Sequence, residues 1–200
     1  AIPLQTLMDI TNEMPDTRIT LSVDEGQKVE LITDSGIYDL MGKPVEEFPA
    51  LPEVDNRKAS GIKADILKEI IQTTTFAISK DELKPALTGV LFRFQEKQLT
   101  VVATDGHRLV RYIRNDFEGK EFAGDVIIPK KFLNLMNTML VANENIQIWM
   151  GDNNLTANIG GDIIFTRTID ERFPDFESVI PTDNDKEILV ERSKLLSAVK

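Results

Sequence analysis

The sequence predicts an α+β fold in which antiparallel sheets are backed by a pair of helices. Three observations lead to this prediction. Helical stripes with a period near 3.6 residues alternate with short apolar runs that are typical of strands. These segments recur in one order, which is a strand, a helix and three strands. That order is repeated again at the scale of a domain, which indicates copies of one unit lying side by side.

The long repeat has a period of about 126 residues. IPLQTLMDITNEMP near the start corresponds to IPKKFLNLMNTML, and TRITLSV and QKVELIT correspond to NIQIWMG and NLTANIG. ASGIKADILKEII corresponds in the same way to KEILVERSKLLSAV at the end. A period of this length is that of a domain. The sequence therefore predicts the second half of one domain, a complete domain and the first strand and helix of a third, over residues 1–57, 58–183 and 184–200.

The first predicted segment contains one helix and three strands. Pro3 can take the first helical position, and Leu4, Leu7, Met8 and Thr11 then share one face. TRITLSVD, QKVELITD and GIYDLMG are the three expected strands. VEEFPALPEVDNRKAS, which is rich in proline and charge, is the expected connector to the next domain.

The middle segment contains the strand, helix and three strands twice. A strand around Ile62 leads into a helix over residues 63–78, and VLFRF, QLTVVATD and RLVRYIR follow. VIIP then leads into a helix over residues 130–140, followed by NIQIWM, NLTANI and DIIFTRTI. We expect strands to pair across the two halves into two antiparallel sheets. ERFPDFESVIPTDNDK is the second expected connector.

Composition bounds the function. The 200 residues are 42% hydrophobic and 28% charged, as in globular proteins, and there is no cysteine, which fits a reducing cytoplasm. No signal peptide or bilayer-spanning run is recognised, so we expect a cytoplasmic protein without a membrane partner; residues are expected to precede Ala1. The net charge of −10 disfavours DNA binding by general phosphate neutralisation unless the basic residues are segregated on one face.

The densest polar cluster is ATDGHRL at residues 103–109, where Asp105 and Gly106 are a strong turn signal. His107 is the only histidine. A metal site requires further ligands, and a Ser-His-Asp triad requires a nucleophile on a sharp turn; the sequence supplies neither pattern. Two interpretations stay open. The segment is either a solvated hairpin turn or a peptide-binding strand end, at which His107, Arg108 and Leu109 lie together.

Two lysines begin the second helix of the middle segment. Lys130 and Lys131 oppose the helix dipole, so helix stability does not explain them, and they are either solvated or contact phosphate. The matching region of the first half carries further lysines, at Lys63, Lys68, Lys80 and Lys84. Gly151, Gly160 and Gly161 fit no phosphate-loop pattern and are expected in hairpin turns, and Trp149 is expected in the core or on a strand face.

Several separated motifs together resemble a known family. TVVATDGHRL, VIIPKK before a helix, GDNNL and RFPDFESVIP, in this order and spacing, resemble the β subunit of bacterial DNA polymerase III, the sliding clamp. The resemblance covers essentially the whole chain and implies the DNA-clamp fold. It implies three tandem domains per protomer, and a homodimer that closes head to tail into a ring around double-stranded DNA. It also implies no catalytic residues, no metal and no cofactor.

The resemblance further implies partners and binding residues. The expected partners are the DNA polymerase III α subunit, the clamp loader and other proteins that carry a clamp-binding motif. Their short apolar peptide would bind at Leu87, Thr104, Gly106, His107, Arg108, Leu109, Pro174 and Val179, and DNA would contact Lys130 and Lys131. The chain has Ser178 where relatives often have arginine, and Lys-Pro-Ala at residues 84–86 where relatives often have tyrosines.

Two other classes of function are weighed against the clamp. One is a hydrolase that uses His107 with Asp105. The other is a non-catalytic structural repeat or peptide-binding module with no role on DNA. A metal-dependent activity assay separates the first class from the clamp, and a peptide titration separates a plain structural repeat from it.

Overall fold

The computed structural model of the chain describes residues 1–47, 59–117 and 124–199. The chain divides into two compact units, Ala1–Leu51 and Pro52–Lys200. Most of the predicted connector VEEFPALPEVDNRKAS, and with it the predicted boundary after residue 57, lies outside the described residues. The three predicted domain ranges therefore stay a prediction.

The first unit has the predicted helix followed by a three-stranded antiparallel sheet in the order β1-β2-β3. Its elements are α1 Leu4–Asn12, β1 Thr20–Val23, β2 Lys28–Thr33, β3 Gly36–Met41 and a 3₁₀ helix over Val45–Glu47. The alternation of β2 places Val29 and Leu31 in the interior with Leu40 of β3. The helix begins one residue after Pro3, which precedes it in an extended conformation.

The second unit contains the predicted strand, helix and three strands twice over. The first half consists of β4 Ala59–Lys63, α2 Ala64–Thr74, β5 Gly89–Phe94, β6 Leu99–Thr104 and β7 Leu109–Arg114. The second half consists of β8 Gly124–Pro129, α3 Lys130–Met139, β9 Asn145–Met150, β10 Asn154–Ile159 and β11 Asp162–Arg167. Short 3₁₀ helices at Thr75–Ala77 and Pro85–Thr88 connect α2 to β5.

The two halves exchange their first strands. β4 of the first half pairs antiparallel with β9 of the second, with Ile62 opposite Ile146. β8 of the second half pairs antiparallel with β5 of the first, with Leu91 opposite Ile127. The two sheets therefore have the orders β11-β10-β9-β4 and β7-β6-β5-β8. This confirms the predicted pairing across the halves and the α+β architecture.

The main core lies between the sheets and the helices α2 and α3. Leu67 and Ile70 of α2 and Leu133 and Met136 of α3 are at most 1% exposed. They pack with the inward residues of both sheets into one cluster. Each such side chain contributes roughly 1.5–3 kcal/mol by leaving water. This burial explains why both apolar stripes form helices and why the two halves fold as one body.

The helix α2 is shorter than predicted, because a 3₁₀ turn replaces its last residues. Three consecutive threonines bond back to helix carbonyls, with Thr74 Oγ1 donating to Ile70 O at 2.7 Å and Thr75 Oγ1 to Ile71 O at 2.8 Å. Such hydroxyl bonds compete with the regular backbone ladder and loosen the helix. The helix over residues 130–140 is correct to within one residue.

The strand predicted at the start of residues 184–200 is wrong for this structure. Residues 168–191 contain only bends, turns and extended chain, and the helix α4 Arg192–Val199 follows. Ile188 and Leu189 are more than four-fifths exposed. A single strand without a neighbouring strand to pair with is not stable by itself, which explains the difference. Within the described residues, no helix has both the length and the apolar character needed to cross a bilayer.

Candidate peptide-binding and DNA-contacting residues

The turn between β6 and β7 is organised by two side chains. Thr104 Oγ1 donates to Arg108 O at 2.8 Å and accepts from the Gly106 amide at 3.1 Å. Asp105 Oδ1 accepts from the amides of His107 and Arg108, both at 3.0 Å. Gly106 has φ of +90°, in the left-handed region that glycine adopts without strain. The sequence ATDGHRL therefore builds a rigid turn from which the His107 and Arg108 side chains extend.

Asp105 also fixes the direction of the Arg108 side chain. Arg108 Nε donates to Asp105 Oδ2 at 2.8 Å, and the guanidinium lies 5.9 Å from the ring centre of Phe76. Hydrogen bonds from the backbone amides of Arg108 and His107, supported by the Arg108 side chain, hold the pKa of Asp105 well below its usual range. Asp105 is thus an ionised turn organiser, which accounts for the turn signal without a catalytic role.

A second apolar cluster lies on the opposite face of the β7-β6-β5-β8 sheet from the main core. Its buried members are Leu91, Val102, Ile127 and Phe176. The partly buried residues packed against it are Ala86, Leu109, Ile169, Phe173 and Ile180. Phe176 belongs to the irregular segment after β11. We call residues 169–180 the strap, because they cover this face of the sheet.

The predicted peptide-binding residues fall into three groups. Leu109 belongs to the second apolar cluster and is half-buried beside the turn residues. Leu87 is 7% exposed at the end of a 3₁₀ helix, where its carbonyl accepts from the Ser79 amide at 2.9 Å. Pro174 and Val179 are exposed on the strap, outside the cluster. The structure therefore places Leu109 and the strap on one face, and Leu87 offers little surface to a ligand.

The strap is ordered by local hydrogen bonds. Asp175 Oδ1 accepts from the amides of Glu177 and Ser178 at 3.2 and 3.4 Å. Ser178 Oγ donates to Asp175 O at 2.9 Å. Ser178 is exposed, and its hydroxyl is used in this turn. A cavity of about 520 Å³ lies beside the strap, and Pro174 and Phe176 are among its lining residues.

Sequence reasoning missed Phe176 and Arg93 as parts of this surface. Arg93 lies on the same face of β5 as Leu91, and its guanidinium is 5.0 Å from the ring centre of Phe176. The signal for a covered face was present in GVLFRF, because a strand with an uninterrupted apolar run is typically buried on both faces. The covering residue itself lies in irregular chain, where periodicity carries no information.

The two predicted DNA-contacting lysines begin α3. Pro129 precedes the helix with φ of −61°, and the first turn carries no acidic residue. Lys130 is half-buried and Lys131 is exposed. Among the residues that the structure describes, neither ammonium group has a carboxylate within ion-pair distance. Their charge therefore adds to the positive end of the helix dipole and is available to an anion.

The other predicted residues are placed as follows. Lys84 lies 4.0 Å from Asp81 at the limit of an ion pair, and Lys80 is exposed on the same loop. Trp149 is 7% exposed on β9, as expected of a strand residue. Gly160 and Gly161, with φ of +61° and +96°, form the β10–β11 turn. Within the described residues, no group of three or more histidine or acidic side chains could hold a metal ion.

The comparisons with known proteins all point to one family. The family model of the DNA polymerase III beta subunit, central domain, matches residues 61–175. The beta sliding clamp of Chlamydia muridarum is 30% identical over 201 residues, covering 100% of this chain and 54% of that protein. The beta sliding clamp of Bacillus subtilis is 29% identical over 193 residues, covering 96% and 51%.

Solved structures show the same similarity. The DNA polymerase sliding clamp from Bacillus subtilis has a TM-score of 0.84 at 27% identity, covering 99% of this chain and 52% of that one. The sliding clamp from Bartonella birtlesii bound to griselimycin has a TM-score of 0.82 at 29% identity, covering 99% and 55%. The chain spans about half the length of the curated relatives it matches. Because the central-domain model matches more than half of its residues, the chain belongs to the DNA polymerase III β subunit family.

Proposed function

We propose that this chain is the central part of a DNA sliding clamp, which encircles double-stranded DNA and tethers the replicative polymerase to it. The observation that supports this most strongly is the alignment of the chain, from end to end, with beta sliding clamps. The domain ranges follow from the internal repeat. Residues 1–57 would end a first clamp domain, 58–183 would form the second and 184–200 would begin the third.

A ring explains how an acidic protein can hold DNA. Enclosure links protein to DNA without strong phosphate affinity, so a net charge of −10 is compatible with the function. We infer that Lys130 and Lys131 face the DNA and that the full-length protein is a homodimer. Both lysines lie at a helix start, and neither ammonium group pairs with a carboxylate among the described residues, which supports this role.

The partners would bind through a short apolar peptide beside the ATDGHRL turn. The DNA polymerase III α subunit, the clamp loader and other proteins with a clamp-binding motif are the proposed ligands. Leu109 supplies apolar surface, and the rigid turn presents His107 and Arg108 as hydrogen-bond donors. Pro174 and Val179, which lie on the strap, would form the wall of the pocket opposite Leu109. An apolar anchor with a few oriented polar groups is the usual composition of a small peptide site.

We propose that the protein is a cytoplasmic factor that is not an enzyme and needs no cofactor. Asp105, the residue that would pair with His107 in a hydrolase, accepts hydrogen bonds from the turn amides and from Arg108. Because sliding clamps from Bartonella birtlesii and Pseudomonas aeruginosa have been solved with griselimycin, we infer that this compound also binds the full-length protein. A titration that detects no binding of griselimycin would contradict this part of the proposal.

Topological linkage is the direct test of the clamp. The full-length protein is loaded onto nicked circular DNA by its clamp loader and washed with high salt. Retention on the circle followed by loss after linearisation is expected of a closed ring, because enclosure is insensitive to salt whereas phosphate contacts are screened. Equal loss from circular and linear DNA would contradict encirclement and favour a peptide-binding module without a role on DNA.

A further inference from the structure

Within the described residues, the strap is attached to the sheet by a backbone hydrogen bond, by the buried ring of Phe176 with partly buried apolar neighbours on the strap, and by an arginine. The Ile169 amide donates to Ile127 O at 2.9 Å, next to the end of β11. Further along, Phe176 is 3% exposed against Leu91, Val102 and Ile127. Residues 168–191 contain no regular secondary structure, so these attachments determine where the strap residues lie.

Arg93 is the polar attachment, and it joins the sheet to the strap. Its Nε and Nη2 donate to the two carboxylate oxygens of Asp125 at 2.9 and 3.0 Å. Asp125 lies directly opposite Arg93 across the β5–β8 pair. On the strap side, Nη1 lies 3.5 Å from Glu177 Oε1, and the guanidinium lies 5.0 Å from the Phe176 ring centre. One planar group therefore contacts two consecutive strap residues.

The bidentate contact makes the guanidinium a fixed reference point. Asp125, the main cause, raises the pKa of Arg93 above its usual range, so the group stays charged throughout the pH range in which the protein is studied. A bidentate pair also fixes the plane of the guanidinium, which a lysine ammonium does not do. Because Asp125 holds the Arg93 guanidinium in one orientation, the guanidinium in turn restricts where the Phe176 ring and the Glu177 carboxylate can lie.

The residues that Arg93 contacts lie between the two proposed peptide-binding residues of the strap. Pro174 precedes Phe176 by two positions, and Val179 follows Glu177 by two positions. Both are exposed, and neither belongs to the buried cluster. The position of this part of the strap relative to the sheet therefore sets the distances from Pro174 and Val179 to Leu109 across the proposed pocket.

We propose that Arg93 is a positioning residue for peptide binding, which holds the strap so that Pro174 and Val179 form the wall opposite Leu109. The inference rests on the proposed function, since it assigns Arg93 to the same peptide pocket. Arg93 need not touch the peptide. Its contribution passes through Phe176 and Glu177, so the residue sets the affinity for a short apolar peptide by ordering one wall before the peptide arrives.

The variant Arg93→Met tests the role, because methionine keeps an apolar stem beside Phe176 and removes the guanidinium. Arg114→Met is the matched control, since Arg114 lies in the same sheet and pairs with Asp116 at 2.8 Å. Both variants are made in the full-length protein and titrated with a polymerase-derived apolar peptide. Hydrogen exchange of the strap amides is measured without peptide. We expect Arg93→Met to weaken binding about fivefold to tenfold and to speed exchange of the amides from Phe173 to Ile180.

The possible results distinguish a failure of the Arg93 role from a failure of the proposed peptide-binding function. If the unaltered protein binds the peptide and Arg93→Met binds it equally well, the positioning role is wrong and the pocket stands. A loss of affinity in Arg114→Met as large as that in Arg93→Met would also overturn the role. If the unaltered full-length protein binds no peptide at the turn, the proposed function fails, and the role of Arg93 fails with it. Glu177→Gln should reproduce part of the loss, and its effect should not add to that of Arg93→Met.

Discussion

The two halves of the second unit have the same order of elements but different hairpin turns. In the first half, β6 and β7 are joined by residues 105–108, in which the Asp105 carboxylate accepts from two turn amides and from the Arg108 side chain, and His107 and Arg108 are exposed. In the second half, β10 and β11 are joined by Gly160 and Gly161 alone, both at positive φ. The second turn closes the hairpin and offers no side chain. The two halves thus share one scaffold, and only the first has a hairpin turn with side chains suited to the proposed binding.

The two helices differ in the same way at their first turns. Asp65 in α2 accepts a hydrogen bond from the Asn143 amide at 3.3 Å, which stabilises the structure. Lys130 and Lys131 occupy the corresponding turn of α3, where their charge opposes the dipole. The first half therefore carries the proposed peptide-binding turn and the second half carries the proposed DNA-contacting lysines, at different positions of one repeat.

The largest loss of peptide affinity is expected when the β6–β7 turn is shortened to resemble the β10–β11 turn. Replacing residues 105–108 by Asn-Gly creates a two-residue turn that suits a β-hairpin, so β6 and β7 should stay paired. Peptide binding should weaken by about thirtyfold or more, because the donors and their support are removed together. Calorimetric titration measures the affinity, and circular dichroism controls for the fold. Unchanged affinity in a folded variant would show that the turn is not the binding chemistry.

The next effect concerns the helix starts. Lys130→Glu with Lys131→Glu should weaken DNA binding by the full-length protein and reduce the slope of log affinity against log salt by about one per lysine. Lys97→Glu with Lys186→Glu is the matched control, since both lysines are exposed and the charge change is identical. Fluorescence anisotropy across a salt series gives both quantities. Equal losses in the two double variants would mean that net charge, not position, determines the effect.

A smaller effect is expected at Asp105. Asp105→Asn keeps an acceptor for the turn amides but loses the ionic contact with Arg108, so peptide affinity should fall about threefold to tenfold. Folding lowers the pKa of Asp105, so the ionised carboxylate stabilises the folded protein. This stabilisation is complete above the unfolded-state pKa near 4 and is lost as the pH falls through the folded-state pKa. Carboxyl NMR shifts should therefore show Asp105 still ionised at pH 4. Titration of this group at or above pH 4 would contradict the turn geometry.

The smallest effect is a matched pair of glycine substitutions. Gly106→Ala and Gly160→Ala each place a side chain at positive φ, and both should lower the free energy of unfolding by about 1 kcal/mol. No atom within 4 Å would clash with the new Cβ of Gly106. Only Gly106→Ala should change peptide affinity. If Gly160→Ala changed it equally, the functional difference between the turns would be lost.

Periodicity predicted the fold because the apolar stripes of α2 and α3 and the alternation of the strands are strong local signals. The end of α2 was placed too late, because the hydroxyls of Thr73, Thr74 and Thr75 bond to helix carbonyls without changing the apolar pattern. The strand expected at the start of residues 184–200 is absent from the structure, because a strand depends on a pairing strand that periodicity does not supply.

The site was predictable only in part. The turn signal of Asp105 and Gly106 is local, and it predicted the hairpin correctly. The strap is irregular, so its sequence gave no sign that Phe176 is buried or that Arg93 lies against it. Contacts between residues about 80 positions apart depend on the tertiary fold, and Arg93 with Glu177 is such a pair.

A peptide titration followed by amide NMR tests most directly whether peptide binding uses the β6–β7 turn and not the β10–β11 turn. A polymerase-derived apolar peptide is added to this chain, and Leu109→Asp is compared in the full-length protein with Ile163→Asp, an exposed residue of β11. The account predicts shifts at residues 104–109 and 174–179, no shifts at Gly160 and Gly161, and loss of binding in Leu109→Asp alone. Shifts centred on the β10–β11 turn, or full-length affinity unaffected by Leu109→Asp, would contradict it.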